Sequence, residues 1–183
     1  MITLKTFKLN EFNISSYPTA VALGCFDGLH IGHTEVINAA VKFGSKHKLK
    51  SAVFKLESAK IGSIITYDET LKILQSQGVD LLLLQLLDNE FMNLSCEDFV
   101  ENYLYKRLRA SFVSVGYNYH FGKGAAGNAE TLGKLCAQYG IEVEIIPPIC
   151  VDKVVVSSTK IRELLKNGDI STVSKYIGRR WHG

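Results

Sequence analysis

Residues 19–41 read TAVALGCFDGLHIGHTEVINAAV. Thr19–Gly24 is an unbroken apolar run of strand length, and Ile37, Ala39, Ala40 and Val41 then recur at helical spacing. Between them, GCFDGLHIGH (24–33) carries Gly24, Gly28 and Gly32 beside Asp27, His30 and His33. A strand, a glycine-rich turn and a helix make one βα unit, and the turn concentrates polar chemistry at the strand's carboxyl end.

The same alternation continues along the chain. KSAVFKL (50–56), VDLLLLQLL (79–87), SFVSVGY (111–117) and IEVEIIPP (141–148) read as further strands, the last stopped by Pro147-Pro148. Helical spacing separates them at Leu71 and Leu74, at Phe99, Val100, Tyr103 and Leu104, and at Leu132 and Leu135. Strands alternating with helices predict an α/β, Rossmann-like, doubly wound and mostly parallel sheet of five to six strands, with helices on both faces. Ligands in such sheets bind beyond the carboxyl ends of the strands. Gly44, Gly78 and Gly140 fall where these helices should end in a left-handed residue. No repeat, low-complexity tract or linker divides residues 1–183, so one domain is expected.

A formal charge of +3, spread without a dense Lys/Arg stripe, argues against nucleic acid and for an anionic small molecule. Cys25, Cys96, Cys136 and Cys150 are far apart and form no C-x-x-C pair, as expected of reduced thiols. The N-terminus MITLKTFKLNEF has no apolar signal region, and no stretch approaches a membrane span, so a cytoplasmic protein without membrane contact is expected. The sequence carries no signal for an oligomeric state.

In the 24–33 turn, glycines let backbone approach a ligand, and the following helix start presents free N–H groups and a positive dipole end. His30 and His33, three apart, can aim at one point, which suits a phosphate whose charge grows in a transition state. Asp27, His30 and His33 as metal ligands is the weaker reading, because no H-E-x-x-H or cysteine cluster completes the set. The turn is neither a Walker A loop, lacking G-K-[ST], nor G-x-G-x-x-G.

A second element, VVVSSTKIRELLKNGD (154–169), runs a β-branched strand into Ser157, Ser158 and Thr159 and then a helix bearing Lys160 and Arg162. Ser157 or Ser158 suits a helix cap, and Thr159 with Glu163 also has capping-type spacing. Three hydroxyls with a guanidinium one turn inside gather donors for phosphate oxygens.

H-x-G-H at 30–33 with S-S-T-x-x-R at 157–162 resembles the nucleotidyltransferase superfamily. VALGCFDGLHIGH, VGYNYHFGKGAAG (115–127) and VVVSSTKIRELLKNGDI together resemble the FMN adenylyltransferase module of bacterial FAD synthetases, over nearly the whole chain. The resemblance implies transfer of AMP from ATP to the phosphate of FMN, giving FAD and pyrophosphate by direct in-line attack without a covalent enzyme intermediate. It implies catalytic roles for His30, His33 and Arg162, and ATP contacts from Gly24, Phe26, Asp27, Gly32, Ser157, Ser158 and Thr159. It places Asn118, Tyr119, Phe121, Gly122 and Lys123 toward the flavin, with Asn118 also near Mg²⁺ carried by the phosphates. Tyr119 and Phe121 can stack on a ring or anchor the loop in the core, and Asp27 can meet the ribose or orient the turn.

The chain departs from that family at FKLESAKIGSIITYDETLKIL (54–74), where a proline- and histidine-bearing stretch and a longer flap are usual. Acceptor specificity is the property this alters. A riboflavin kinase module usually follows, but the sequence ends at YIGRRWHG and kinase activity is not expected. Alternatives are transfer to another phosphate acceptor and a non-catalytic flavin- or nucleotide-binding module.

Overall fold

The computed structural model describes residues 4–8, 17–57 and 62–181. Its centre is a six-stranded sheet built from β1 (Lys5–Lys8), β2 (Thr19–Gly24), β3 (Lys50–Glu57), β4 (Leu81–Leu86), β5 (Ala110–Gly116) and, counted below as β8, Glu142–Ile146. The spatial order is β1-β4-β3-β2-β5-β8, and every neighbouring pair is parallel. Two short hairpins lie apart from it: β6 (His120–Phe121) with β7 (Gly127–Asn128), and β9 (Cys150–Val151) with β10 (Val154–Val155).

Side-chain alternation sorts the strands onto two cores. Ala20, Ala22, Val53 and Leu82 face helices α1 (Ile31–His47) and α2 (Tyr67–Ser76), through Val36, Ile37, Ala40 and Leu74. Val21, Leu23, Ala52, Phe54, Leu81 and Leu83 face the other side, against Phe99, Val100, Leu104, Leu132 and Cys136. That side is covered, after the short α3 (Asn89–Met92), by α4 (Cys96–Asp98), its π-wound continuation Phe99–Arg107, and α5 (Ala129–Ala137). Both faces being covered explains why β2 reads as continuously apolar. Each fully buried leucine or phenylalanine here stabilises by roughly 1.5–3 kcal/mol.

The chain closes with α6 (Ser158–Lys166) and α7 (Ile170–Ile177). Their small core of Val156, Ile161, Val173, Tyr176 and Ile177 also takes in Ile31, Ile64 and Trp181. The C-terminal helices therefore pack against the start of α1 and lie beside the cleft described below.

Two expectations are corrected. The β-branched run at 154–156 does not join the main sheet, since among the described residues Val154–Val155 pairs with Cys150–Val151; β1 is the sixth strand instead. Gly44 does not end α1 but lies inside it, and the turn-forming residue is Lys48, at φ 57. Gly44 is needed for close approach, because a Cβ there would sit 3.2 Å from the Leu49 carbonyl oxygen. Gly78 and Gly140, at φ 81 and 69, do follow their helices in the left-handed region.

Candidate active site

Between β2 and α1 the chain makes a strained turn. Phe26, Gly28 and Leu29 have φ of 49, 79 and 41, and only the glycine adopts such a value without cost. Phe26 and Leu29 are 1% and 0% exposed, so core anchorage holds them there. The other two glycines answer to crowding by rings: a Cβ at Gly24 would lie 3.1 Å from Phe26, and one at Gly32 would lie 3.2 Å from His30.

His30 caps α1, its Nδ1 accepting from the His33 backbone N–H at 3.2 Å. An accepting Nδ1 leaves the proton of a neutral imidazole on Nε2, which therefore donates. The His30 and His33 rings stack with centroids 3.6 Å apart, and Phe26 meets His33 edge-on at 5.4 Å. Burial pushes the His30 pKa down to about 4, and burial with the neighbouring His30 pushes His33 well below its ordinary range. Both rings are thus neutral donors at neutral pH. The Nδ1 of His33 is buried and has no hydrogen-bond partner among the described residues.

The second element reaches the first directly. Ser157 caps α6, accepting from the Lys160 N–H at 3.2 Å, and the Ser158 hydroxyl donates to the Asp27 carbonyl at 2.8 Å. The starts of α1 and α6 therefore meet, and neither first turn carries an acidic residue to neutralise its positive end.

They border a cleft of about 340 Å³ at the carboxyl ends of β2, β5 and β8. Strands leave β2 toward β3 on one side and lie against β5 on the other, which makes this the switch point of the sheet. Of the residues read from the sequence, Gly24, Phe26, His30, Gly32 and His33 line it, as do Ser157, Ser158, Thr159, Asn118 and Tyr119. Tyr119 is buried and stacks on Phe121 at 5.9 Å, so it offers the cleft an edge of the core.

Asp27, Arg162, Phe121, Gly122 and Lys123 lie outside the lining. The Asp27 carboxylate pairs with the Arg162 guanidinium and accepts from the Ile64 N–H at 2.8 Å and the Ser63 hydroxyl at 3.3 Å. Arg162 also donates to the Gly62 carbonyl at 2.7 Å. Asp27 thus orients the turn, and Arg162 faces it instead of the cleft. Phe121 is packed against Phe99 at 5.5 Å in the core. Gly122, at φ 76, presses on Cys96, and the Lys123 N–H donates to the Leu94 carbonyl at 2.7 Å. Of the shortened connection after β3, residues 58–61 lie outside the described residues; Gly62–Ile64 serve Asp27 and Arg162 as above.

Several lining residues were not anticipated. Tyr117 is half exposed, the His120 ring Nδ1 lies 2.9 Å from the Asn118 carbonyl, and Pro147, Pro148 and Ile149 form a wall. GYNYHFG contains the first two, but strand periodicity does not say which side chains of a loop turn toward solvent. A second cavity, about 550 Å³, opens where β1, β3 and β4 end and is lined by Lys8, Glu57, Gln85, Phe91, Tyr103 and Arg107.

Among the described residues no three His, Cys, Asp or Glu side chains are grouped to hold a metal ion. Asn118 lines the cleft, and its side-chain amide oxygen is a hard donor of the class Mg²⁺ takes. No helix among the described residues is long and apolar enough to cross a membrane.

A family model for FAD synthetase matches residues 13–160. The bifunctional riboflavin kinase/FMN adenylyltransferase of Buchnera aphidicola subsp. Schizaphis graminum is 29% identical over 181 residues, covering 93% of this chain and 57% of that protein. The Escherichia coli K12 protein of the same name is 28% identical, covering 91% and 57%. The FAD synthetase of Listeria monocytogenes is 28% identical, covering 93% and 72%. The chain spans a little over half the length of the bifunctional relatives. A crystal structure described as a macrolide-efflux protein from Streptococcus pneumoniae superposes with a TM-score of 0.84 at 30% identity, covering 98% of this chain and 62% of that one. A match over residues 13–160, most of the sequence, means that this chain belongs to the FAD synthetase family.

Proposed function

We propose that this protein transfers AMP from ATP to the phosphate of FMN, releasing FAD and pyrophosphate. The observation that carries the reading is the convergence of two helix starts on one cleft, tied by the Ser158 hydroxyl on the Asp27 carbonyl. An FMN phosphate oxygen is already anionic, so the reaction needs alignment and charge stabilisation rather than a general base. The α-phosphorus of ATP is attacked in line, without a covalent enzyme intermediate.

In this reading the N–H groups at the start of α6, with Ser157, Ser158 and Thr159, hold the leaving pyrophosphate. His30, donating through Nε2, and His33 stabilise charge as it builds on the phosphates. Their neutrality is an advantage, since a fixed dipole in a dry site acts without first shedding water. Gly24, Phe26 and Gly32 shape the nucleotide side of the cleft. Arg162 contributes by exchanging Asp27 for a phosphate oxygen, which keeps its charge paired before and after. Asn118 and Tyr119 face the acceptor, with Tyr117 and His120 added to them, while Phe121, Gly122 and Lys123 build the loop's base. Mg²⁺, held by the phosphates and Asn118, would supply further neutralisation of the phosphate charge. The free cysteines and these substrates support a cytoplasmic setting.

The purified protein incubated with ATP, FMN and Mg²⁺ should form FAD and pyrophosphate in equal amounts, read by chromatography and a coupled pyrophosphate assay. Pyrophosphate release with a different phosphate ester and none with FMN would replace the acceptor; no turnover with any would leave only a binding module.

A further inference from the structure

The adenylyl-transfer reading leaves the partly buried Arg179 without a task. Arg179 follows α7, whose end at Gly178 has φ 68 and is pressed against α1: a Cβ there would lie 2.9 Å from Ile31 Cγ2. From this point the guanidinium crosses to the strained turn. Its Nη1 donates to the Leu29 carbonyl at 2.9 Å and to Ile177 at 3.2 Å, and its Nη2 donates to the Gly28 carbonyl at 3.1 Å. Glu69, in the first turn of α2, lies 3.5 Å from Nη2.

The geometry points to Arg179 as a positioning residue for the histidine pair. Gly28 and Leu29 are consecutive residues at positive φ, a conformation that main-chain sterics disfavour for Leu29 and that external bonds must hold. The Leu29 carbonyl belongs to the planar peptide unit that carries the His30 nitrogen, so fixing that oxygen fixes the plane from which His30 projects. His30 in turn accepts from the His33 N–H, so both imidazoles inherit the orientation. The fork matters: two carbonyls on successive residues need two parallel donors, which a guanidinium has and an ammonium lacks. Glu69 pairs with the Nη2 that serves the Gly28 carbonyl and so couples α2 to the turn.

The inference rests on the adenylyl-transfer reading for its kinetic arm only. Arg179→Gln should lower kcat roughly 10- to 100-fold, as a small misplacement of reacting groups does, while KM for ATP and FMN stays within about threefold. Arg179→Lys should recover only part of the loss. Millimolar guanidinium ion should raise kcat of Arg179→Ala and leave that of His33→Ala unchanged. Hydrogen exchange supplies a readout independent of chemistry: the His33 amide should lose protection in Arg179→Gln, whereas amides of β3 and β5 keep theirs. Full kcat and full His33 protection in a folded variant would overturn the proposal. If the unaltered protein does not adenylylate FMN, the exchange result alone decides. Should Arg179→Gln fail to fold, Glu69→Gln carries the same two readouts with several-fold losses expected, and none would refute the coupling.

Discussion

Acid should destabilise this protein through His30, and its burial sets the size of the effect. The ring is 6% exposed and caps α1 in its neutral form, and burial lowers its pKa from 6.5 to about 4. An unfolded chain takes up that proton near pH 6.5, whereas the native state refuses it until about pH 4. Within that window the unfolded state binds more protons, so the His30 contribution is full above pH 6.5, falls as pH drops, and is gone at about pH 4 and below. At pH 4.5, two pH units into the window, His30 alone removes about 2.5 kcal/mol. His33 shifts in the same direction and adds to it. His30→Asn isolates the contribution, because asparagine accepts the same cap bond but does not titrate. Urea unfolding at pH 7 and pH 4.5 gives four stabilities, and the wild type should lose about 2.5 kcal/mol more than the variant. Carboxylate losses are common to both and cancel. Equal losses would show that the ring is not held neutral, which would remove the donor role derived for its Nε2.

The other predictions follow from the same contacts. His33→Ala should lower kcat by roughly 100- to 1,000-fold with a much smaller change in KM for ATP, since it acts as charge builds; equal losses in both would make it a binding group only. Arg162→Ala should weaken ATP binding and turnover together, and thermal unfolding should show little change because the Asp27 pair is partly exposed. Ser157→Ala, which removes the α6 cap, should cost about 1 kcal/mol in urea unfolding. Gly178→Ala should destabilise by about 1–3 kcal/mol, because φ 68 and the Ile31 contact both oppose a side chain; an unchanged midpoint would mean that α7 does not press on α1.

Strands with both faces covered announce themselves, and β2, β3, β4 and β5 were legible as apolar runs for that reason. β1 was not: Lys5–Lys8 is KTFK, with one apolar side chain, and its strand character comes from pairing with Leu81–Leu84, far along the chain. Gly44 misled because a helix-ending glycine and a glycine admitting close packing look alike in sequence; here Lys48 takes the left-handed turn. At the site, the helix starts at His30 and Ser157 were readable because capping uses local spacing. Which way a long side chain points is not local. Arg162 turns to Asp27, 135 residues away, and Arg179 to main-chain carbonyls at Gly28 and Leu29, whose oxygens leave no trace in the residue letters. Phe121 fell to the core because Phe99 lies behind it, a neighbour supplied by the tertiary fold.

The central claim is that the histidine turn and the α6 cap grip one triphosphate between them. A crystal structure with a non-hydrolysable α,β-methylene ATP analogue tests it most directly. Phosphate oxygens should lie about 3 Å from a His30 or His33 ring nitrogen and from the N–H groups or hydroxyls of Ser158 and Thr159 at once. A nucleotide seated elsewhere, as in the cavity beside Lys8 and Arg107, or one touching only a single element, would contradict it.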